Sequence, residues 1–299
     1  MNILVTGAGG TIGQALIPFL AAGGHRVSRL VRFKPRPGEA LIQWDPAAGK
    51  IDPAALEGLD AVVHLAGETI AGRWTPEKKA RIRASRRKGT ILLGETLASL
   101  SKRPSVLVSA SAIGYYGNRG EEILKEDSAP GSLFLSEVCR EWEAATETAA
   151  RSRIRVVNLR IGFVLSAAGG GLASMLPPFK MGLGGRFGSG KQYLSWIAID
   201  DLVEIVLYAI TNEALRGPVN AVAPNPVTNY EFTKTLGRVL GRPTFFPIPA
   251  FAARLALGEM AEELLLASQR VEPARLLSAA YQFRFPKLDV ALRHLLGKT

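Results

Sequence analysis

The sequence predicts an α/β fold: a doubly wound parallel sheet followed by a smaller, partly helical C-terminal domain. Three observations carry the prediction. Short apolar runs recur with little alternation, as in strands covered on both faces. Stretches with helical spacing separate most of them, the pattern of strand–helix–strand units. A glycine-rich turn joins the first run to the first helix.

The runs at 3–6, 27–31, 61–66, 105–110 and 156–159 are the expected parallel strands, and 40–44 is a weaker extra one. Helices are expected over 11–22, 76–100 and 137–151. After Arg160 the character changes: glycines cluster at 169–171 and 182–190, and Pro177-Pro178 interrupts the chain. Helical spacing returns over 200–211, 229–240, 251–268 and 287–296, and 218–222 reads as a strand able to rejoin the first sheet. The expected division is a dinucleotide-binding domain over 1–165 and a substrate-covering domain over 166–299.

The turn after the first strand reads Gly7-Ala8-Gly9-Gly10-Thr11-Ile12-Gly13. Gly7 permits the tight turn, Gly10 lets backbone approach a pyrophosphate, and Gly13 lets helix pack on strand. The amides of Thr11, Ile12 and Gly13 open the helix and face the phosphates with its positive dipole end. This is the Rossmann-type signature. A site for NAD puts a carboxylate at the end of the second strand. Here that end is Val31-Arg32-Phe33-Lys34, without one. A guanidinium at Arg32 suits a 2′-phosphate, so the expected cofactor is NADP(H).

Length and composition agree with a folded enzyme-sized chain. The 299 residues are 47% hydrophobic and 21% charged, ordinary for a globular protein. One cysteine, Cys139, excludes an internal disulfide. No apolar run reaches the roughly 18 residues that span a bilayer. The first strand begins directly after the initiating Met1, so a cytoplasmic location is expected. No His, Cys and acidic spacing suggests a metal site.

Beyond the glycine turn, the motifs HLAG at 64–67, SASAIGYYG at 109–117, NLR at 158–160 and WIAIDD at 196–201 resemble the extended short-chain dehydrogenase/reductases, the NAD-dependent epimerase/dehydratase superfamily. The resemblance covers nearly the whole chain. WDP at 44–46, GRW at 72–74, SRRKGT at 85–90 and YQFRFPKLDVAL at 281–292 are similar to one atypical subgroup, called epimerase family proteins or nucleotide-sugar epimerases, with a C-terminal segment of unknown function near 246–296. The resemblance implies that Leu65, Ala66 and Gly67 line the cofactor. It also implies that Arg86, standing where the superfamily usually has Asn, faces the cofactor. It allows a homodimer.

That superfamily works with a Tyr and a Lys four residues apart on the helix after the fifth strand, the Lys lowering the Tyr pKa. Counted back from Arg160 through Glu143, the two positions fall on Leu135 and Cys139. Tyr230 and Lys234 have the spacing by letters but lie beyond the sheet. The candidate catalytic groups are therefore Ser111, Tyr115, Tyr116 and Glu68. Ser109 and Glu143 are expected beside the cofactor, Glu143 at the nicotinamide ribose. His64 lies in a buried strand, and His25 and His294 have no partners in sequence.

The formal charge of +11 points to an anionic partner. Residues 73–88 hold eight Lys or Arg and one acid, but only Trp74 is interleaved, so nucleic acid is not the expected partner. Arg81 and Arg86 in that stretch are expected to face cofactor phosphates. The sequence thus supports an NADP(H)-binding oxidoreductase or epimerase-like enzyme for a small polar, nucleotide-linked or otherwise anionic substrate. Its alternatives are a non-catalytic NADP(H) sensor or scaffold and, behind that, an RNA-binding protein.

Overall fold

A computed structural model describes residues 1–36 and 38–298. Chain order in the first half is β1 (Asn2–Thr6), α1 (Thr11–Ala22), β2 (Arg26–Val31), β3 (Leu41–Asp45), β4 (Lys50–Ile51), β5 (Ala61–His64), α2 (Pro76–Ser99), β6 (Val106–Ala112), β7 (Ile123–Leu124), α3 (Phe134–Ala144), α4 (Glu147–Arg151) and β8 (Arg155–Ile161). The second half holds β9 (Phe163–Leu165), α5 (Gly170–Lys180), β10 (Tyr193–Leu194), β11 (Trp196–Ala198), α6 (Ile199–Thr211), β12 (Gly217–Ala221), β13 (Val227–Thr228), α7 (Asn229–Leu240), α8 (Ala250–Leu257), β14 (Arg270–Val271), α9 (Ala274–Ser278) and α10 (Leu288–Leu295).

Eight strands form one sheet in the order β12-β8-β6-β5-β1-β2-β3-β4, parallel except for β4 at the edge. The expected two-sided burial is visible residue by residue. In β1, Ile3 and Val5 enter the core that includes Leu16 and Leu20 of α1 and much of α6. Leu4 between them points the other way, toward Leu93 and Leu97 of α2. A strand with a core on each face has no polar face to alternate with. The 218–222 run does rejoin this sheet, as β12 beside β8.

Two expected helices differ. The 137–151 helix starts earlier, at Phe134, and breaks after Ala144 before the short α4. The 251–268 helix is two pieces: α8 stops at Gly258, and a π-helical turn covers Ala261–Leu266. The reason is tertiary. Glu263 reaches across to accept the backbone N–H groups of Phe134 and Leu135, at 3.0 and 2.8 Å. That contact caps α3 from 128 residues away and fixes the chain that carries it. The C-terminal region returns twice more to the body. β14 pairs with β7, and the buried Asp201 carboxylate accepts from Arg284 and Phe285 N–H.

No helix among the described residues is long and apolar enough to cross a membrane. No group of three or more metal-ligating side chains occurs among them.

Candidate functional site

The carboxyl ends of β1, β2, β5 and β6 open on one edge of the sheet, where ligands sit in doubly wound folds. The glycine turn is shaped from below. Gly7 has φ +71°, and a Cβ there would lie 2.7 Å from the Leu65 carbonyl. A Cβ on Gly13 would lie 2.5 Å from Gly7 O. Gly9, by contrast, has nothing within 4 Å, and Gly10 only the Gly7 oxygen at 3.4 Å. The turn is thus pressed against protein on one side and clear on the other. α1 begins with no side-chain cap and no acid in its first turn. The amides of Thr11, Ile12 and Gly13 precede the first helical bond, Gln14 N–H to Gly10 O. Uncapped N–H groups at a clear helix end suit a phosphate. Gly169 and Gly170, at the start of α5, pass over this turn, with Thr11 Oγ1 2.8 Å from where a Gly169 Cβ would be.

Under the turn lies a buried network that the sequence reading missed. His64 Nδ1 is 2.8 Å from Thr6 Oγ1, and Nε2 is 3.0 Å from Thr90 Oγ1. Thr90 gives its hydrogen to Arg86 O at 2.7 Å, so it accepts from His64 Nε2–H. Nδ1 is then the acceptor, and Thr6 donates to it. The Thr6 oxygen in turn accepts the N–H groups of Leu65 and Ala66, at 3.0 and 3.1 Å. Burial pushes the His64 imidazole down to about 4, in keeping with a neutral ring. His64 therefore has partners, 58 and 26 residues away, and through Thr6 it fixes the Leu65-Ala66 backbone against Gly7.

The expected cationic residues gather beside this backbone. Arg32 follows Val31 at the end of β2 and is exposed. Glu68 accepts from Lys78 Nζ at 2.8 Å and has Arg81 Nε at 3.8 Å. The Lys78 hydrogen bond holds its carboxyl below the usual range, with the charges of Lys78, Arg81 and Arg32 adding to it. Glu68 is an ionised member of a basic cluster, poorly suited to donate a proton. Arg86 donates from Nη1 to the Glu68 and Ile82 carbonyls, at 3.0 and 3.2 Å. Its guanidinium lies 4.9 Å over the Trp142 ring and flat against Gly67.

After β6 the side chains form a second network. Ser109 is fully buried beside His64 in register. Ser111, buried beside Cys139, donates to Glu143 Oε1 at 2.7 Å. Arg160 grips both Glu143 oxygens, at 2.8 and 2.9 Å, and donates to Tyr116 Oη at 3.0 Å. This occupies the Glu143 carboxylate, which the sequence reading had placed at a ribose. Tyr116 is fully buried and donates to Asn220 Oδ1 at 2.7 Å; burial pushes its phenol up to about 12. Tyr115 differs. It is only partly buried, its ring lies 3.5 Å under the Arg160 guanidinium, and its hydroxyl is in no hydrogen bond among the described residues.

The positions of the missing pair lie on α3 against this loop. A Cβ on Gly114 would lie 3.2 Å from Leu135 Cβ and 4.0 Å from Cys139 Sγ. Burial, with Glu143 adding, pushes the Cys139 thiol up to about 11, so it is no thiolate base. Tyr230 and Lys234 lie on α7, outside the eight-stranded sheet.

Comparison with known proteins adds to this geometry. Residues 3–222 match the NAD dependent epimerase/dehydratase family, and residues 248–295 match a domain of unknown function, DUF1731. An epimerase family protein of Mycobacterium bovis is 44% identical over 291 residues, 97% of this chain and 96% of that protein. The human epimerase family protein SDR39U1 is 38% identical over 301 residues, 99% and 100% of the two chains. The crystal structure of human SDR39U1, isoform 2, with NADPH superposes with a TM-score of 0.91 at 36% identity over the whole of both chains. A nucleoside-diphosphate sugar epimerase from Corynebacterium glutamicum gives a TM-score of 0.82 at 42% identity, over 99% of this chain and 58% of that one.

Proposed function

The chain belongs to the NAD dependent epimerase/dehydratase family, and on that footing we propose that it is an NADP(H)-dependent oxidoreductase or epimerase-like enzyme for a small polar substrate. The observation that carries the cofactor is the glycine turn, tight below and clear above, with the uncapped α1 behind it. The phosphorylated form of the cofactor rests on exposed Arg32 at the end of β2, with Arg81 near it, and on the NADPH held by human SDR39U1. In this reading Gly7, Gly10, Thr11, Ile12 and Gly13 hold the pyrophosphate. Val31 and Arg32 hold the adenosine end, and the Leu65–Gly67 backbone with Arg86 lines the riboses. Residues 1–165 bind the cofactor and 166–299 cover it.

When bound, the nicotinamide supplies or accepts a hydride. The chain must then move a proton, and Tyr115 is the group suited to it. Its hydroxyl is in no hydrogen bond among the described residues, whereas that of Tyr116 is enclosed between Arg160 and Asn220. Arg160 holds the Tyr115 ring in place, and Glu143 holds Arg160. Glu68 serves by positioning Lys78 and Arg81 rather than by proton transfer.

Two measurements test this. Arg32→Ala is expected to weaken NADPH binding about tenfold or more while leaving NADH binding near wild type, because it removes a charge-assisted contact to one phosphate. Equal affinity of the wild type for both cofactors overturns the phosphate assignment. For chemistry, a panel of sugar nucleotides and carbonyl compounds is followed by NADPH absorbance. Tyr115→Phe should lower turnover on any active compound by about a hundredfold, the usual worth of a positioned acid–base group. An unchanged rate removes Tyr115 from the mechanism.

A second reading, a non-catalytic NADP(H) sensor, is favoured by Leu135 and Cys139 in place of the superfamily's Tyr and Lys. Tight NADPH binding with no turnover on any compound of the panel would select it.

A further inference from the structure

Away from the cofactor edge, α7 and the segment after it line an open cavity of about 290 Å³. Tyr230, Thr233 and Lys234 of α7 line it, facing Arg186, Thr244 and Phe245. The spacing i, i+3, i+4 puts the three α7 residues on one helix face. This is the Tyr-x-x-x-Lys motif that the cofactor site leaves unused.

The cavity is chemically incomplete in two ways. It holds two cations and no acidic residue lines it. Among the described residues, Lys234 Nζ has only the Thr244 carbonyl at 3.4 Å and the faces of Tyr230 and Phe245, at 5.6 and 5.8 Å. Arg186 donates to Ser189 O, also a neutral acceptor. The acid nearest on the helix, Glu231, is committed to the Thr228 capping box. The second gap is Thr233. It is 1% exposed, yet its hydroxyl has no hydrogen-bond partner. A buried unpartnered hydroxyl is costly, and Thr233 lines the cavity together with Lys234 and Arg186. Phe245 and Tyr230 meanwhile stand 75% and 48% exposed at the rim.

We propose that this cavity is a second small-molecule site, distinct from the cofactor cleft, that takes a flat-ringed oxyanion. The phosphate or carboxylate lies between Lys234 and Arg186 and accepts the Thr233 hydroxyl. The ring lies against Tyr230 and Phe245. The volume suits a compound of about a dozen heavy atoms, not a dinucleotide.

The test is calorimetric titration of the full chain, with NADPH present, using phenyl phosphate, benzoate, inorganic phosphate and benzyl alcohol. Phenyl phosphate or benzoate should saturate, with benzyl alcohol at least about tenfold weaker for want of the charge. Lys234→Gln should weaken the anion about tenfold and Thr233→Val severalfold, with NADPH affinity unchanged in both. Failure of both ring anions to bind, or binding indifferent to both substitutions, overturns the site. Inorganic phosphate binding as tightly as phenyl phosphate overturns the role of the rings. NADPH affinity is read separately, so the fate of the cofactor reading does not decide this one.

Discussion

His64 shows how a single residue can govern a site it never touches. Its neutral ring orients Thr6, and Thr6 holds the two amides that close over Gly7. The same burial makes the residue a pH liability. Its pKa is about 4 in the fold against 6.5 in the open chain, so the unfolded state takes up the proton first. Stability from this group is complete above 6.5 and is lost as pH falls toward 4. Between pH 7 and 5 the loss is about 2 kcal/mol. Urea unfolding at the two pH values measures it, and the drop should shrink by that amount in His64→Asn. An equal drop in both proteins contradicts the assignment. None of this was legible locally, because His64 meets Thr6 and Thr90 only after β5 and α2 have folded. The glycine turn was legible because its three spaced glycines fall within seven residues, although the Leu65 backbone that presses on Gly7 comes from β5. The place of Arg32, exposed at the end of β2, was legible because that strand end carries no carboxylate.

At the scale of elements, the sheet strands and the helices over 200–211, 229–240 and 287–296 were readable, and the breaks within 137–151 and 251–268 were not. Strands covered on both faces are apolar throughout, as Ile3, Leu4 and Val5 are, and that needs no partner to recognise. The breaks at Gly258 and after Ala144 depend on contacts across the chain. Glu263 is the clearest case. Its carboxyl, held above the usual range by burial that the two backbone N–H bonds only partly offset, stands in for the side-chain cap that α3 lacks. Glu263→Ala leaves those two donors buried and unpaired, and should cost about 2 kcal/mol. Thermal melting checks it. A variant as stable as wild type would mean that water replaces the cap. Because α3 carries Glu143 and Cys139, the same substitution should loosen the Arg160 network, visible as faster amide exchange in residues 113–116.

At the scale of the whole molecule, the charge has a simpler meaning than its size suggests. Of the +11, residues 73–88 supply +7 on one stretch that begins beside Glu68, and residues 151–299 supply +8 spread along the second half. The remaining residues, 1–72 and 89–150, are net −4. A charge divided in this way suits an anionic ligand at the cleft better than a continuous nucleic-acid track. The two halves are also mechanically joined. A chain ending at 245 lacks the α3 cap, the β14 partner of β7 and the tail bonded to Asp201. It should lose cooperative unfolding altogether, as followed by calorimetry, rather than melt as an intact N-terminal domain. A sharp transition near the wild-type temperature would show that the first half is self-sufficient.

The position of β12 and Glu263 in the chain sets a timetable for synthesis. The sheet cannot gain its last strand until residue 221 has emerged from the ribosome, α3 is uncapped until residue 263 follows, and Asp201 waits for residue 285. The first-made part of the protein is thus the part that must wait longest, holding an unfinished sheet edge that invites pairing with other chains. A chain stopped before residue 217 leaves β8 as an open edge, and one stopped between 201 and 284 leaves the Asp201 carboxylate without its two amides.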